Sequence, residues 1–258
     1  MSLARAIIFD LDGTLLNTLD DLADAGNATL ASLGLPTHKI DEYRYFVGLG
    51  IEELTRRMLP ESKRDPANVA RVFAVMTGEY KKRWKDKTAP YPGVPEMLAT
   101  LSRRGLPLCV LSNKPQLFTG LAVDAFFPAH PFLHVRGSRP EVPNKPHPAG
   151  ALGLATEIGV APGSIVFVGD SETDMKTARG AGMMPVGVLW GFRDETELLG
   201  AGARHLISRP EELPELLDGL AGAPFRCNAI SKFSWSTGQW RKSPHRWSRN
   251  CARRPTRR

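Results

Sequence analysis

Along the first forty residues the apolar positions change period once. The run Ala6-Ile7-Ile8-Phe9 is uniformly apolar and stops at Asp10-Leu11-Asp12-Gly13-Thr14. So short and unbroken a run predicts a strand buried on both faces, as in a parallel sheet. From residue 19 to 33 leucine and alanine recur at helical spacing, and Gly34-Leu35-Pro36 supplies the stop. Segments 41–59 and 65–87 predict more helices, because Ile51, Leu54, Met58 and then Val69, Phe73, Met76, Tyr80 lie three or four apart. No strand pattern occurs between 17 and 88, and Ala89-Pro90-Tyr91-Pro92-Gly93 punctuates the return. Beyond it the periods alternate. Helices are predicted at 95–104, 149–158, 171–180 and 211–217, and strands at 106–111, 165–168, 184–189 and 205–207. Such alternation predicts an α/β fold with a doubly wound parallel sheet. The expected domains are therefore residues 1–16 with 89–220, an inserted helical block at 17–88, and a tail at 221–258. There is no internal repeat.

Charge changes this picture only at the tail. Ten of the 34 Lys/Arg and none of the 27 Asp/Glu lie in 221–258, so residues 1–220 carry 24 basic against 27 acidic side chains, a net of −3. The formal +7 of the whole chain thus belongs to the tail. Its mixture of Ser, Arg, Pro and three tryptophans (Trp235, Trp240, Trp247) has no helix or strand period and reads as a disordered basic segment. Arginine and lysine among aromatics would suit a nucleic-acid backbone, and a solvated appendage is the simpler expectation. No run approaches the roughly 18 apolar residues of a membrane span. The N-terminus enters a strand with no secretory signal, so the expected location is the cytoplasm. Cys109, Cys227 and Cys251 make no CxxC pair and no even framework, which indicates neither disulfides nor zinc.

The candidate chemistry sits where predicted strands end, the place open α/β sheets reserve for their ligands. Asp10 and Asp12 put two carboxylates two residues apart after the first strand. One can attack phosphorus while the other protonates a leaving oxygen and later deprotonates water. Gly13 permits a sharp turn, and the Thr14 hydroxyl can bind a phosphate oxygen. Ser112-Asn113 offers a hydroxyl and backbone N–H groups to a phosphoryl oxygen. Lys145, in Asn144-Lys145-Pro146-His147-Pro148, brings an ammonium in a stiffened loop. Asp170 and Asp174 add two acids four apart at the head of a helix, and oxygen-only ligands of this kind suit Mg²⁺. Each motif has a bland counterpart: a capped turn, a solvated lysine, a helix-face acid.

Taken in order, Asp10-Leu11-Asp12-Gly13-Thr14, Ser112-Asn113, Lys145 and Gly169-Asp170 to Asp174 resemble the four motifs of haloacid dehalogenase (HAD) superfamily phosphatases over roughly residues 3–219. Phe46-Val47-Gly48-Leu49-Gly50 and Tyr91-Pro92-Gly93-Val94 are further similar to the phosphoglycolate phosphatases within it. The resemblance implies a Rossmann-like core with an α-helical cap domain. It further implies a Mg²⁺-dependent hydrolase of a small phosphomonoester, most simply 2-phosphoglycolate, working through an aspartyl-phosphate. Asp10 matches the nucleophile, and Asp12 the general acid/base with a main-chain carbonyl on the metal. Thr14, Ser112, Asn113 and Lys145 match phosphate-binding groups. Asp170 matches a metal ligand and Asp174 a second acid of that motif, acting directly or through water. Many relatives carry Asp-Ser where this chain has Asn17-Thr18, which keeps hydrogen-bonding capacity at the hinge and removes a charge. Among other outcomes of the fold, attack on carbon would not need Asp12. Sugar phosphomutases resembling β-phosphoglucomutase usually carry an arginine shortly after the cap glycine, where this chain reads Gly48-Leu49-Gly50-Ile51. Hydrolysis is the expectation.

Overall fold

The computed structural model describes residues 4–129 and 131–220, together with the backbone of 233–236 and 239–242. In chain order the first half holds β1 (Ala6–Phe9), β2 (Leu16–Asn17), α1 (Leu19–Ser32), α2 (Ile40–Phe46), α3 (Ile51–Met58), α4 (Pro66–Arg83) and β3 (Ala89–Pro90). There follow α5 (Val94–Arg103), β4 (Leu108–Pro115), α6 (Gln116–Phe126), β5 (Phe132–Ser138), α7 (Ala149–Ile158) and β6 (Ile165–Gly169). Then come α8 (Glu172–Gly180), β7 (Met184–Val188), α9 (Glu195–Ala201), β8 (His205–Ile207) and α10 (Glu212–Leu220).

Six strands make one sheet in the order β5-β4-β1-β6-β7-β8, and every pairing is parallel. β1 occupies the middle because both its faces are apolar. Ile7 and Phe9 enter the core beneath α5, α6 and α10, while Ala6 and Ile8 enter the core beneath α7 and α8. Val166 and Val168 of β6 repeat the alternation against Ile165 and Phe167. The chain passes from β1 to β4 on one side and to β6 on the other, so the carboxyl end of β1 lies at the switch point of the sheet.

The doubly wound α/β fold expected from the sequence is thus the one observed. Some elements differ in detail. The helical pattern at 41–59 breaks into α2 and α3 at Val47–Gly50, where Gly48 and Gly50 take left-handed φ angles of +119° and +95°. β4 runs on from the expected 111 to Pro115, so Ser112 to Lys114 are buried strand residues and not an exposed loop. α6, β5 and α9 were not foreseen. In β5 only Phe132 is fully buried, and His134 and Arg136 break the apolar run of this edge strand.

Helices α1 to α4 share a core of their own, built on Leu22, Leu30, Tyr43, Leu54, Met58 and Met76. Phe118 of α6 and Phe192 beyond β7 complete it from outside the block. The block leaves and re-enters through a ribbon in which Leu16 faces Pro90 and Asn17 faces Ala89. Asp21, buried in α1, fastens the returning chain by accepting from the backbone N–H of Lys87 (2.9 Å) and from the N–H and hydroxyl of Thr88 (2.9 and 2.7 Å). Residues up to Ala223 form one compact unit and Pro224 to Arg258 another. In the second, β9 (Phe233–Ser236) and β10 (Gln239–Lys242) pair antiparallel with Trp235 opposite Trp240. The rest of the expected 221–258 tail lies outside the described residues, and no described helix is long and apolar enough to cross a membrane.

Candidate active site

β1 ends by delivering Asp10 to the switch point, and the turn after it places Asp12 and Thr14. Gly13 makes that turn possible twice over. Its φ is +88°, and a methyl group there would overlap the Asp170 carboxylate. β6 ends on Gly169 and hands Asp170 to the same spot, while α8 begins with a capping box in which Asp174 accepts from the hydroxyl (2.6 Å) and N–H (3.2 Å) of Ser171. Asp10, Asp170 and Asp174 are all buried and present carboxylate oxygens within 4.8 Å of one another.

Lys145 is the cation among them. Its ammonium lies 2.8 Å from Asp10 Oδ1 and 2.7 Å from Asp174 Oδ1. The loop carrying it is fixed by Asn113, whose Oδ1 accepts from the Lys145 N–H (2.8 Å) and whose amide donates to the Lys145 carbonyl (2.9 Å). That amide also donates to the Gly48 carbonyl of the helical block at 2.9 Å. The Asn113 side chain is therefore spent on holding two loops. Ser112 Oγ accepts from the Lys114 N–H at 3.2 Å, which leaves its proton to donate elsewhere. The Thr14 hydroxyl points at Asp170 Oδ1 (3.3 Å), and Trp190 holds the Thr14 carbonyl through its indole N–H (2.9 Å).

Three buried carboxylates face one buried ammonium in this cluster, and burial and crowding together raise the pKa of two of them. Asp10 is pushed well above the ordinary carboxylate range by burial and then by Asp174, with Lys145 only partly offsetting the effect. Asp170 is pushed up to about 7 by the same two causes, although it accepts a 2.8 Å hydrogen bond from the Phe192 N–H. Burial works against the charge of Lys145, but Asp10 and Asp174 outweigh it and hold its pKa above the ordinary lysine value. An all-oxygen cluster with uncompensated negative charge fits a hard divalent cation.

Asp12 stands apart from these three. Its carboxylate turns to Lys114, whose ammonium lies 2.8 Å from Oδ1 and 3.1 Å from Oδ2. Asp10, Asp12, Ser112 and Asn113 line one cavity of about 40 Å³ between sheet and helical block, closed by Leu22, Val47, Leu54 and Tyr80. Thr14 and Lys145 do not line it. All the sequence-predicted residues thus converge on the end of β1, in two adjoining groups. Lys114, Tyr80, Trp190 and the Phe192 N–H were missed. A lysine followed by proline gives no signal of burial, and the others arrive from elements distant in sequence.

A family model described as haloacid dehalogenase-like hydrolase matches residues 7–188. A phosphoglycolate phosphatase of Pseudomonas putida is 33% identical over 224 residues, covering 85% of this chain and 81% of that one. One from Chromobacterium violaceum is 33% identical over 218 residues, covering 83% and 96%. Among solved structures, one from Haemophilus somnus described as a predicted phosphoglycolate phosphatase superposes with a TM-score of 0.78 at 27% identity, over 84% of this chain and 99% of that one.

Proposed function

Since the chain belongs to the haloacid dehalogenase-like hydrolases, we propose that it is a Mg²⁺-dependent phosphatase of a small phosphomonoester, and that 2-phosphoglycolate is its substrate. The observation that carries this reading is the division of labour between the two acids of the first turn. Asp10 is held by Lys145 among carboxylates, while Asp12 points away from them into the cavity beside Lys114. Substrate identity is supported by the phosphoglycolate phosphatases the chain resembles.

Asp10 Oδ1 already accepts from Lys145 and from the Leu11 N–H (2.6 Å), so Oδ2 is the oxygen that attacks phosphorus. The new bond joins Oδ2 to phosphorus as the bond to the leaving oxygen breaks. Asp12 gives that oxygen its proton, and the alcohol departs. Asp12 then takes a proton from water, whose oxygen attacks the aspartyl-phosphate and releases phosphate and Asp10. The Lys145 ammonium and the Ser112 hydroxyl face the charge that gathers on the phosphoryl oxygens. Asp10, Asp170, Asp174 and the Asp12 carbonyl would hold Mg²⁺, which supplies positive charge against the repulsion between carboxylate and phosphate. The helical block at 17–88 acts as the cap that excludes water and shapes the leaving-group pocket.

Asp10→Asn tests the chemistry, because the amide keeps the shape and cannot attack. Turnover of 2-phosphoglycolate with Mg²⁺ should vanish while circular dichroism stays native. Steady-state hydrolysis by the verified variant would refute the nucleophile.

A further inference from the structure

We propose that Lys114 and Tyr80 form a subsite that grips a carboxylate on the leaving group, and that this pair makes the site choose phosphate esters of short 2-hydroxy acids. The inference rests on the phosphatase reading above and adds to it the groups that set specificity. Lysine is almost never buried unless it is paired, and Lys114, 6% exposed, is paired with Asp12. Its ammonium donates to both oxygens of Asp12 and lies over the Tyr80 ring, 4.9 Å from the centroid. The pairing sets a full positive charge in the cavity wall beside the group that must serve the leaving oxygen.

Tyr80 supplies a second observation. The side chain is 1% exposed, and the Lys114 ammonium is close enough to donate to its oxygen, while its hydroxyl proton meets no acceptor among the described residues. The charge of Lys114 reaches that hydroxyl, and burial keeps it protonated as a donor. A buried donor left unmet is destabilising, and a ligand acceptor would remove that penalty. Both groups line the cavity that holds Asp10 and Asp12, and its remaining walls are largely aliphatic. A planar anion with two acceptor oxygens can meet the ammonium with one and the phenol with the other.

The position of Asp12 fixes where that anion must lie on the substrate. Asp12 has to touch the leaving oxygen, and Lys114 is in contact with Asp12. The group next to the carbon that bears the leaving oxygen therefore falls within reach of Lys114. In a 2-hydroxy acid that group is the carboxylate. Leu22, Val47, Ile51 and Leu54 on the helical-block side of the cavity carry no polar group for a longer, hydroxylated leaving group.

The test compares kcat/KM for 2-phosphoglycolate and for 2-hydroxyethyl phosphate, which replaces the carboxylate by a neutral alcohol, in the full chain with Mg²⁺. Lys114→Met and Tyr80→Phe are measured beside the unaltered protein. The unaltered protein should prefer 2-phosphoglycolate by about 100-fold or more. Lys114→Met should remove most of that ratio and Tyr80→Phe should cut it about tenfold, whatever common loss the first suffers through Asp12. Reading the ratio keeps a general loss of activity from passing as a loss of specificity. A preference that survives intact in both variants overturns the subsite and leaves the phosphoglycolate reading standing. Equal kcat/KM for the two esters in the unaltered protein overturns that reading, and the subsite with it.

Discussion

Asp170 is ionised against resistance, and the direction of that resistance makes a prediction. Its pKa is pushed up to about 7 in the fold, first by burial and then by Asp174, whereas an unfolded chain ionises aspartate near its usual value of about 4. A carboxylate whose folded pKa lies above its unfolded one weakens the fold once it is charged. Its penalty is complete above about pH 7 and is relieved as the pH falls from there towards 4. Asp170→Asn should therefore be more stable than the parent without metal at pH 8, by about 1 kcal/mol, while losing activity. The gap should be clearly smaller at pH 5, as read from melting temperatures at both pH values, and close only towards pH 4. A gap that ignores pH would refute the assignment of strain to this charge. Asp10, Asp12 and Asp170 were legible from the sequence because each follows an apolar run that could only be a buried strand. Lys114 was not. Its burial depends on Tyr80, thirty-four positions earlier, closing over the end of a strand that outlasts its apolar residues.

At the scale of elements, the loop from β7 to α9 joins the helical block to the acid cluster. The Arg193 guanidinium donates to the carbonyls of Arg44 and Val47 (the latter 3.1 Å) and stacks 5.2 Å from the Tyr45 ring centroid. Arg44 in turn donates to the Gly191 carbonyl at 3.2 Å, and Phe192 between them donates to Asp170. Arg193→Ala should loosen α2 and lower kcat/KM for 2-phosphoglycolate about tenfold, with faster amide exchange over residues 40–50 as the direct readout. Gly48 faces the same cavity with φ +119° and open space beside it, so strain and not collision would follow a side chain there. Gly48→Val should cost about 1–2 kcal/mol and harm 2-phosphoglycolate more than a flat aryl phosphate, which draws less on the helical block. Equal losses on both esters would remove this loop from substrate choice. The split between α2 and α3 at these glycines was hidden by a continuous apolar stripe, just as β5 was hidden by the polar residues an edge strand tolerates.

For the whole molecule, the sheet and the block were readable in outline because each keeps one period over long stretches. The joints between them, made by Asn113, Arg193 and Asp21, were not, since single polar side chains carry no period. Residues 224–258 form a unit of their own, beyond the last helix of the sheet. Deleting 221–258 should leave kcat and the melting temperature nearly unchanged and lower the isoelectric point. A stability loss above about 1 kcal/mol would overturn the expectation of a solvated appendage. The ribbon in which Leu16 faces Pro90 and Asn17 faces Ala89 has a different kind of consequence. The chain departs and returns through neighbouring residues, so the sheet is wired independently of what hangs between them. Lengthening that excursion costs only about 0.6 kcal/mol of chain entropy per doubling. Such a socket lets evolution, or an engineer, trade one excursion for another of different size while the strand that ends in Asp10 never changes register.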